Sequence, residues 1–305
     1  MTSKQKRLLL LLVVIAVISV VSRLLLDSPY GTTSLFYVGV PLAVGACLVA
    51  INKSSSGDWR AKYWNSARDV FLILIAVSIL LYEGFICVLL FLPIYLFIMV
   101  IVMAVEAAIR HLKNKARGKL FAHWFPVLGI LMAFEGVHPN LSFERESEVI
   151  VEKVVAGSVT QLMKNLERPI ELKKDRHWFL ELFPMPYEVE AGTLQPGDVH
   201  EIHFRYHRWI FTNTHQGRML LEIVEVGESH VRTRFIEDTS YIGHYVSLRG
   251  TEIQLHPAGD KEARIRLKVN FERKLDPAWY FGPLERYGVR KMAEFLIDEV
   301  VARND

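Results

Sequence analysis

The pattern of hydrophobic and polar positions divides the chain into two parts. Residues 1–137 contain long apolar runs, whereas residues 138–305 alternate apolar and polar positions and are interrupted by short turn sequences. An apolar run of about 20 residues is what one helix needs to cross the ~30 Å hydrocarbon core of a bilayer. The first part is therefore predicted to be a helical transmembrane region, and the second a water-soluble domain.

The apolar part is predicted to cross the membrane five times. Residues 70–105 are apolar except for Glu83, which is too long a run for one helix at 1.5 Å per residue, so two spans are expected to meet near Glu83. The fifth run contains His123 and Glu135, and the alternative for it is an interfacial or re-entrant helix. The predicted spans are residues 8–26, 33–51, 69–83, 85–108 and 120–137.

The basic residues of the loops give a predicted orientation. Clusters of Lys and Arg precede the first span and lie between spans two and three and between spans four and five. Cytoplasmic loops carry such an excess, so the N-terminus is expected in the cytoplasm, with a bacterial inner membrane as the location. Five spans place the soluble domain on the non-cytoplasmic side; if the fifth segment does not span, the domain is cytoplasmic.

Glu83 is the functional candidate of the apolar part. A carboxylate within an apolar zone is costly and often functional. The alternative is that Glu83 lies in a hairpin turn at the far interface.

The second part predicts an α+β domain over residues 138–305. Residues 142–151 are expected to form a strand, followed by helices over 157–166 and 172–182. Six strands are then predicted over 187–194, 199–211, 218–226, 230–237, 245–255 and 263–273. Asp276 and Pro277 resemble the N-cap and first position of a long last helix. Its apolar face is expected to pack on a curved antiparallel sheet and to leave an internal cavity; the face comprises Phe281, Leu284, Gly288, Met292, Phe295 and Val300.

Three segments carry a resemblance to a known superfamily. They are the strand over 142–153 that runs into Val-Val-Ala-Gly at 154–157, the Phe-Pro-Met-Pro stretch at 183–186, and Leu-Asp-Pro-Ala-Trp-Tyr-Phe at 275–281. Residues 141–301 resemble the START-like superfamily, also described as Bet v 1-like, SRPBCC or polyketide cyclase/dehydrase. Residues 83–87 followed by Pro93 resemble the membrane part of bacterial proteins that carry such a domain. The resemblance implies a helix-grip fold, in which a curved antiparallel sheet wraps around a long C-terminal helix and encloses a cavity for an apolar molecule.

Aromatic and apolar residues of the soluble part are the predicted ligand-binding residues. In the strand over 199–211, Ile202, Phe204 and Tyr206 share one face because side chains alternate along a strand, and this face is expected to point inward. The alternative is that these residues form ordinary core. The predicted ligand-binding set is Trp178, Phe183, Ile202, Phe204, Tyr206, Phe235, Tyr241, Tyr245, Phe281 and Met292.

Charge and motif content argue against several function classes. Residues 1–137 hold 13 Lys and Arg against 6 Asp and Glu, and residues 138–305 hold 23 against 27. The soluble part therefore lacks the excess of basic residues that binding to nucleic acid requires. No metal is predicted, because His203 and His207 on one strand face are ~13 Å apart. No cofactor is predicted. Neither a Gly-x-Ser-x-Gly nor a phosphate-loop sequence occurs, which argues against hydrolase and nucleotide-driven functions.

The sequence favours a membrane-anchored binding protein that holds or transfers a lipid or another hydrophobic ligand. One alternative is a cyclase/dehydrase-type enzyme of the same fold, with His203 or Tyr241 among the possible acid or base groups, although no catalytic residue is assigned. The other is a structural or regulatory membrane protein whose cup is filled by its own side chains.

Overall fold

The computed structural model describes residues 14, 34–51, 59–80, 85–112, 133–168, 176–190, 193–209, 212–259 and 261–302. The chain divides into two compact units. The first comprises Met1–Phe143 together with Leu275–Tyr280, and the second comprises Glu144–Lys274 together with Phe281–Asp305.

Three α-helices make up most of the described part of the first unit. Helix α1 (Val40–Ile51) follows a π-helical turn over Leu35–Gly39, and it is succeeded by α2 (Trp59–Leu80) and α3 (Phe85–Leu112). One described helical stretch, Val88–Ala108, has the length and apolarity that crossing a membrane requires. The helix predicted to begin at residue 69 begins at Trp59, since the polar residues before the apolar run also adopt helical conformation.

Several predictions for the first part lie outside the described residues. The span over 8–26 is described only at Val14, and Glu83 is not described. Most of the span over 120–137 is also outside, and its last residues, 133–137, form turns instead of the end of a helix.

Helices α2 and α3 run antiparallel. Lys62 near the start of α2 donates to Glu106 Oε2 near the end of α3 at 2.6 Å, and the two side chains are 9% and 31% exposed. Val70 of α2 and Met99 of α3 are buried in the apolar cluster that these helices share with α1. The pairing of opposite ends is what two neighbouring antiparallel helices produce.

The Leu275–Tyr280 segment is held by polar contacts inside the first unit. The hydroxyl of Tyr280 donates to the carbonyl of Leu90 at 2.6 Å, one turn before Pro93 of α3. Proline lacks an amide hydrogen and disturbs the preceding turn of a helix, which leaves carbonyls there in need of donors. The amide of Ala278 donates to Glu135 Oε1 at 2.9 Å, so Glu135 accepts from the first residue of the last helix.

The second unit contains a curled seven-stranded antiparallel sheet. Its strands have the order β1-β7-β6-β5-β4-β3-β2, in which consecutive strands from β2 to β7 are neighbours and β1 pairs with β7. Their bounds are β1 Glu146–Ala156, β2 Met185–Glu190, β3 Val199–Trp209, β4 Thr212–Val226, β5 His230–Asp238, β6 Val246–Gly259 and β7 Glu262–Arg273. All seven predicted strands are present, with boundaries shifted by a few residues.

Three helices accompany the sheet. Helix α4 (Val159–Leu166) has Ser158 as its N-cap, and the short α5 covers Trp178–Glu181. Residues 172–175 of the helix predicted over 172–182 lie outside the described residues. The last helix, α6 (Ala278–Leu296), continues into a π-helical turn at Ile297–Val301. This arrangement of a curled antiparallel sheet and a long C-terminal helix is the α+β arrangement that the sequence predicts.

Helix α6 packs on the β1, β6 and β7 part of the sheet. Val289 and Ala293 of α6 belong to the same buried cluster as Leu267 and Val269 of β7. The predicted face is correct at Phe281 and Phe295, which are buried, but Val289 and Ala293 replace Gly288 and Met292 at its centre. A small residue such as Ala293 suits this position because it lets the helix approach the strands closely.

The opposite face of the sheet carries charge pairs between neighbouring strands. Lys268 Nζ lies 2.6 Å from Glu148 Oε2, and Arg234 Nη2 lies 2.6 Å from Glu222 Oε2. Cross-strand pairs of opposite charge stabilise a sheet by roughly 0.2–1 kcal/mol each. Lys268 and Arg234 therefore have acidic partners on the solvated face of the sheet.

Candidate functional site

An aromatic chain extends through the second unit from α6 to β3. We use this name for the connected rings of Tyr287, Phe179, Phe183, Tyr245, Tyr241 and Tyr206. Their successive centroids are separated by 5.0, 5.2, 5.8, 5.9 and 5.0 Å. These distances are those of favourable edge and stacked contacts.

Tyrosines dominate the β3 end of the aromatic chain. Tyr206 stacks on Tyr241 at 5.0 Å, and the rings of His215 and His244 lie 5.6 and 4.6 Å from Tyr241. Tyr241 is 3% exposed and Tyr245 is 7% exposed. A tyrosine combines an apolar ring with a polar tip, which is the kind of lining that orients an amphipathic ligand.

The structure brings part of the predicted ligand-binding set together. Phe183, Tyr206, Tyr241 and Tyr245 are members of the aromatic chain, and Phe204 lies on the same strand face as Tyr206 and is buried. Ile202 and Phe235 are partly buried in β3 and β5. The predicted inward face of β3 is thus confirmed as the buried one, while the ligand-binding role of these residues stays a prediction.

Other members of the predicted set lie apart from the aromatic chain. Trp178 is 64% exposed, because the four-residue helix α5 turns Phe179 and Leu180 inward and leaves Trp178 outside. Met292 packs against Leu180 and Phe295, and Phe281 is buried near the start of α6.

A polar cavity of about 320 Å³ lies beside the tyrosine end of the aromatic chain. We use "polar cavity" for the space lined by Asp238, Thr239, Ser240, Gly243, His244, Ser247 and Lys274. Residues 238–245, which connect β5 to β6, contribute to both features, because Ser240 and His244 line the cavity while Tyr241 and Tyr245 carry the aromatic rings.

Two buried oxygen atoms at the polar cavity have no hydrogen-bond partner among the described residues. They are Asp238 Oδ2 and Ser240 Oγ, and Ser240 is 2% exposed. Leaving a buried polar group unsatisfied costs about 1–3 kcal/mol, so such atoms are uncommon in folded proteins unless a function uses them.

The electrostatics of the cavity centre on Asp238. Burial raises the pKa of its carboxyl group above the ordinary value of 3.8, while the hydrogen bond from the Ser240 amide and the charges of Lys274 and His244 act in the opposite direction. Raised carboxyl pKa values in clefts are a mark of functional sites. The cavity therefore combines a partly desolvated carboxyl group, an ammonium group and two serine hydroxyl groups.

Local structure holds each cavity residue in place. The amide of Ser240 donates to Asp238 Oδ1 at 2.8 Å, which shapes the turn after β5. Lys274 follows β7, and Arg145 Nη1 donates to the carbonyls of Arg273 and Lys274 at 3.1 and 3.4 Å. The side chains at the cavity are thus attached to backbone that the sheet and its flanking contacts position.

None of the residues that line the polar cavity was in the predicted ligand-binding set. That prediction sought apolar and aromatic residues, whereas this cavity is lined mainly by polar side chains. The available signal was the Asp-Thr-Ser sequence at 238–240, which reads as an ordinary turn between two strands. Its meeting with Lys274 depends on the pairing of β5, β6 and β7.

One group of potential metal ligands lies at the β2–β3 edge. Ligand atoms of Glu190, Glu201 and His203 lie within 4.8 Å of one another. His203 Nε2 is 3.4 Å from Glu190 Oε1 and 3.9 Å from Glu201 Oε1, and Arg218 Nη1 donates to Glu201 at 3.0 Å. The ion pair with Arg218 gives the Glu201 carboxylate a positively charged partner from within the sheet.

Comparisons with known proteins give structural likenesses of low identity. No family model and no curated protein matches the chain. Among solved structures, norcoclaurine synthase from Thalictrum flavum is 16% identical with a TM-score of 0.35, covering 52% of this chain and 89% of its own.

Two further solved structures are similar to the same degree. The Zhui aromatase/cyclase from Streptomyces sp. R1128 is 13% identical with a TM-score of 0.29, covering 50% of this chain and 85% of its own. A START superfamily protein from Mycobacterium smegmatis is 12% identical with a TM-score of 0.33, covering 52% and 96%. Likenesses at this level do not identify a ligand or a reaction for this chain.

Proposed function

We propose that this protein is a membrane-anchored binding protein whose START-like domain holds or transfers a lipid or another hydrophobic ligand. The observation that carries the proposal is the aromatic chain between α6 and β3 together with the adjoining polar cavity of about 320 Å³. Ligand sites are mostly apolar spaces of about 300–1,000 Å³ with a few placed polar groups. The two features together supply these components.

Uptake of an apolar probe by the purified full-length chain tests the binding proposal. After delipidation in detergent, the protein is expected to bind a fluorescent fatty acid, and Tyr241→Ala is expected to weaken binding at least about tenfold because it removes the ring that joins Tyr206 to Tyr245. The matched control is Tyr187→Ala, since Tyr187 is 47% exposed on β2. Equal probe binding by both variants, with unchanged thermal unfolding, would contradict the proposal.

The membrane anchor and its orientation form the second part of the proposal. The length and apolarity of Val88–Ala108 support an anchor, and the antiparallel pairing of α2 with α3 agrees with a helical hairpin in the membrane. We propose that the N-terminus is cytoplasmic and that the START-like domain is on the other side of a bacterial inner membrane. A reporter active only outside the cytoplasm, fused after Asp305, is expected to be active; activity of a cytoplasm-specific reporter there would reverse the orientation.

A second candidate function is an enzyme of the same fold. The observation that favours it is the meeting of Asp238, His244 and Lys274 at one cavity, which provides groups for general acid–base chemistry. Mass spectrometry of the ligand that copurifies with wild type and with Asp238→Asn tests it. An enzyme is expected to accumulate product only with Asp238 present, whereas a binding protein carries the same molecule in both.

A further inference from the structure

The charged side chains of the cavity are of opposite sign. Asp238 presents its unpartnered Oδ2, and the positive charge of Lys274 acts on the Asp238 carboxyl group. Both side chains line the same cavity of about 320 Å³, in which Ser240 Oγ is a further buried atom without a described partner. A ligand that forms hydrogen bonds with these three side chains must include both hydrogen-bond donors and acceptors.

The balance of charge restricts the ligand. An anion alone would be attracted by Lys274 and repelled by the ionised Asp238. A cation alone would be attracted by Asp238 and repelled by Lys274. A group that carries both charges makes a favourable electrostatic interaction with each side chain. The low dielectric of a partly buried cavity strengthens both interactions. Ser240 and Ser247 can then donate to or accept from the remaining oxygens.

The position of the polar cavity indicates how such a group would be carried. His244 lines the cavity and its ring lies 4.6 Å from the ring of Tyr241, so polar and aromatic surfaces meet within residues 238–245. An amphipathic molecule bound here has its polar end beside Asp238 and Lys274 and its apolar part beside the tyrosines. This orientation rests on the proposed function, because it takes the aromatic chain as the site of the apolar part.

We propose that the polar cavity binds a zwitterionic polar group, with an amine at Asp238 and an anionic phosphate or carboxylate oxygen at Lys274. The ligand of this protein is then an amphipathic molecule with a zwitterionic end, such as a phosphoethanolamine lipid. Ser240 contributes a hydroxyl group from the buried wall of the cavity.

Water-soluble polar groups test this cavity separately from the aromatic chain. Calorimetry on the full-length chain in detergent compares glycerophosphoethanolamine with glycerol 3-phosphate and with ethanolamine. The zwitterion is expected to bind at least about tenfold more tightly than either the anionic or the cationic compound. Equal affinities for all three, or no binding of the zwitterion, would overturn the proposal.

Two variants, each of which removes one charge, test which side chains cause the preference for the zwitterion. Asp238→Asn is expected to abolish the preference for glycerophosphoethanolamine over glycerol 3-phosphate, and Lys274→Gln the preference over ethanolamine. Glu228→Gln and Lys261→Gln are the matched controls, because both side chains are exposed in turns away from the cavity. If either cavity variant does not fold, Ser240→Ala replaces it. This variant is expected to weaken binding of the zwitterion several-fold.

Vesicles distinguish failure of this inference from failure of the proposed function. Uptake of labelled phosphatidylethanolamine and of labelled phosphatidylglycerol is measured with the same protein. A clear preference for phosphatidylethanolamine supports the inference; uptake of both without preference contradicts the inference alone. Absence of uptake of either lipid and of the fatty-acid probe contradicts the proposed function.

Discussion

Asp238 ends strand β5 with one carboxylate oxygen bonded to the Ser240 amide and the other buried without a described partner. Burial favours the protonated form in the folded chain and raises the pKa above 3.8. From pH 3.8 upward to that raised value, the folded chain binds more protons than the unfolded chain. The free energy of unfolding therefore falls as the pH rises through this window.

Replacement of Asp238 by Asn should accordingly stabilise the folded chain at neutral pH. We expect Asp238→Asn to raise the free energy of unfolding at pH 7 by about 0.5–2 kcal/mol, because the amide avoids burial of a charge. The gain should shrink as the pH falls through the raised pKa towards 3.8, because the folded-state carboxyl group of the wild type then becomes protonated. Denaturant titrations of the full-length chain in detergent from pH 4 to pH 8 measure it. A Glu228→Gln control with the same gain would contradict this explanation.

The connection between β5 and β6 is the element that shapes the candidate site. It is constrained from the side of β4, where a Cβ atom added at Gly217 would lie 2.3 Å from the Thr239 carbonyl oxygen and 2.8 Å from Ser240 Cα. The amide of Thr239 donates to the Arg218 carbonyl oxygen at 2.8 Å, which fixes the separation of the two segments. The absence of a side chain at residue 217 thus permits the position that residues 238–240 adopt.

Gly217→Ala should displace this connection. We expect the added methyl group to lower the free energy of unfolding by about 1–3 kcal/mol, since the atoms that it meets are backbone. Binding of glycerophosphoethanolamine should weaken as well, because Asp238 and Ser240 move with the backbone. Gly259→Ala is the control, as its nearest contact would be 3.8 Å. Unchanged stability and binding in Gly217→Ala would show that the connection adapts without cost.

At the scale of the whole molecule, the two compact units have different kinds of stabilisation. The first unit joins α2 to α3 through apolar packing and the Lys62–Glu106 pair, whose lysine is nearly buried. The second depends on the hydrogen-bonded sheet and the cluster beneath α6. Removing one partner of a buried pair leaves the other charge uncompensated, which destabilises the surroundings.

Lys62→Met should therefore loosen the first unit selectively. We expect a loss of about 1–3 kcal/mol in local stability, since Glu106 loses its buried donor while remaining partly exposed. Hydrogen exchange followed by mass spectrometry should show faster exchange in α2 and α3 and unchanged exchange in β6 and β7. Arg68→Gln is the control, because the Arg68–Asp69 pair involves an arginine that is 66% exposed. Equal acceleration in both units would contradict local stabilisation by this pair.

Three features show which parts of the structure the sequence could predict and which it could not. The inward face of β3, with Phe204 and Tyr206, followed from alternation along one strand. The exposure of Trp178 did not, since the helix predicted over 172–182 is described only as the short α5. The amide of Ala278, the first residue of α6, donates to Glu135 rather than to a residue next to the helix. The two residues are 143 positions apart, so no pattern within one segment of the sequence connects them.

By itself, the sequence determined the change from apolar runs to alternating strands, the number of strands and the long final helix. These are local properties, because the spacing of apolar residues within one element decides which face it buries. Only the tertiary structure decided that Asp238, Ser240 and Lys274 line one cavity and that Lys62 meets Glu106. Such encounters join residues far apart in the chain, and they arise from strand pairing and helix packing that the residues concerned do not encode locally.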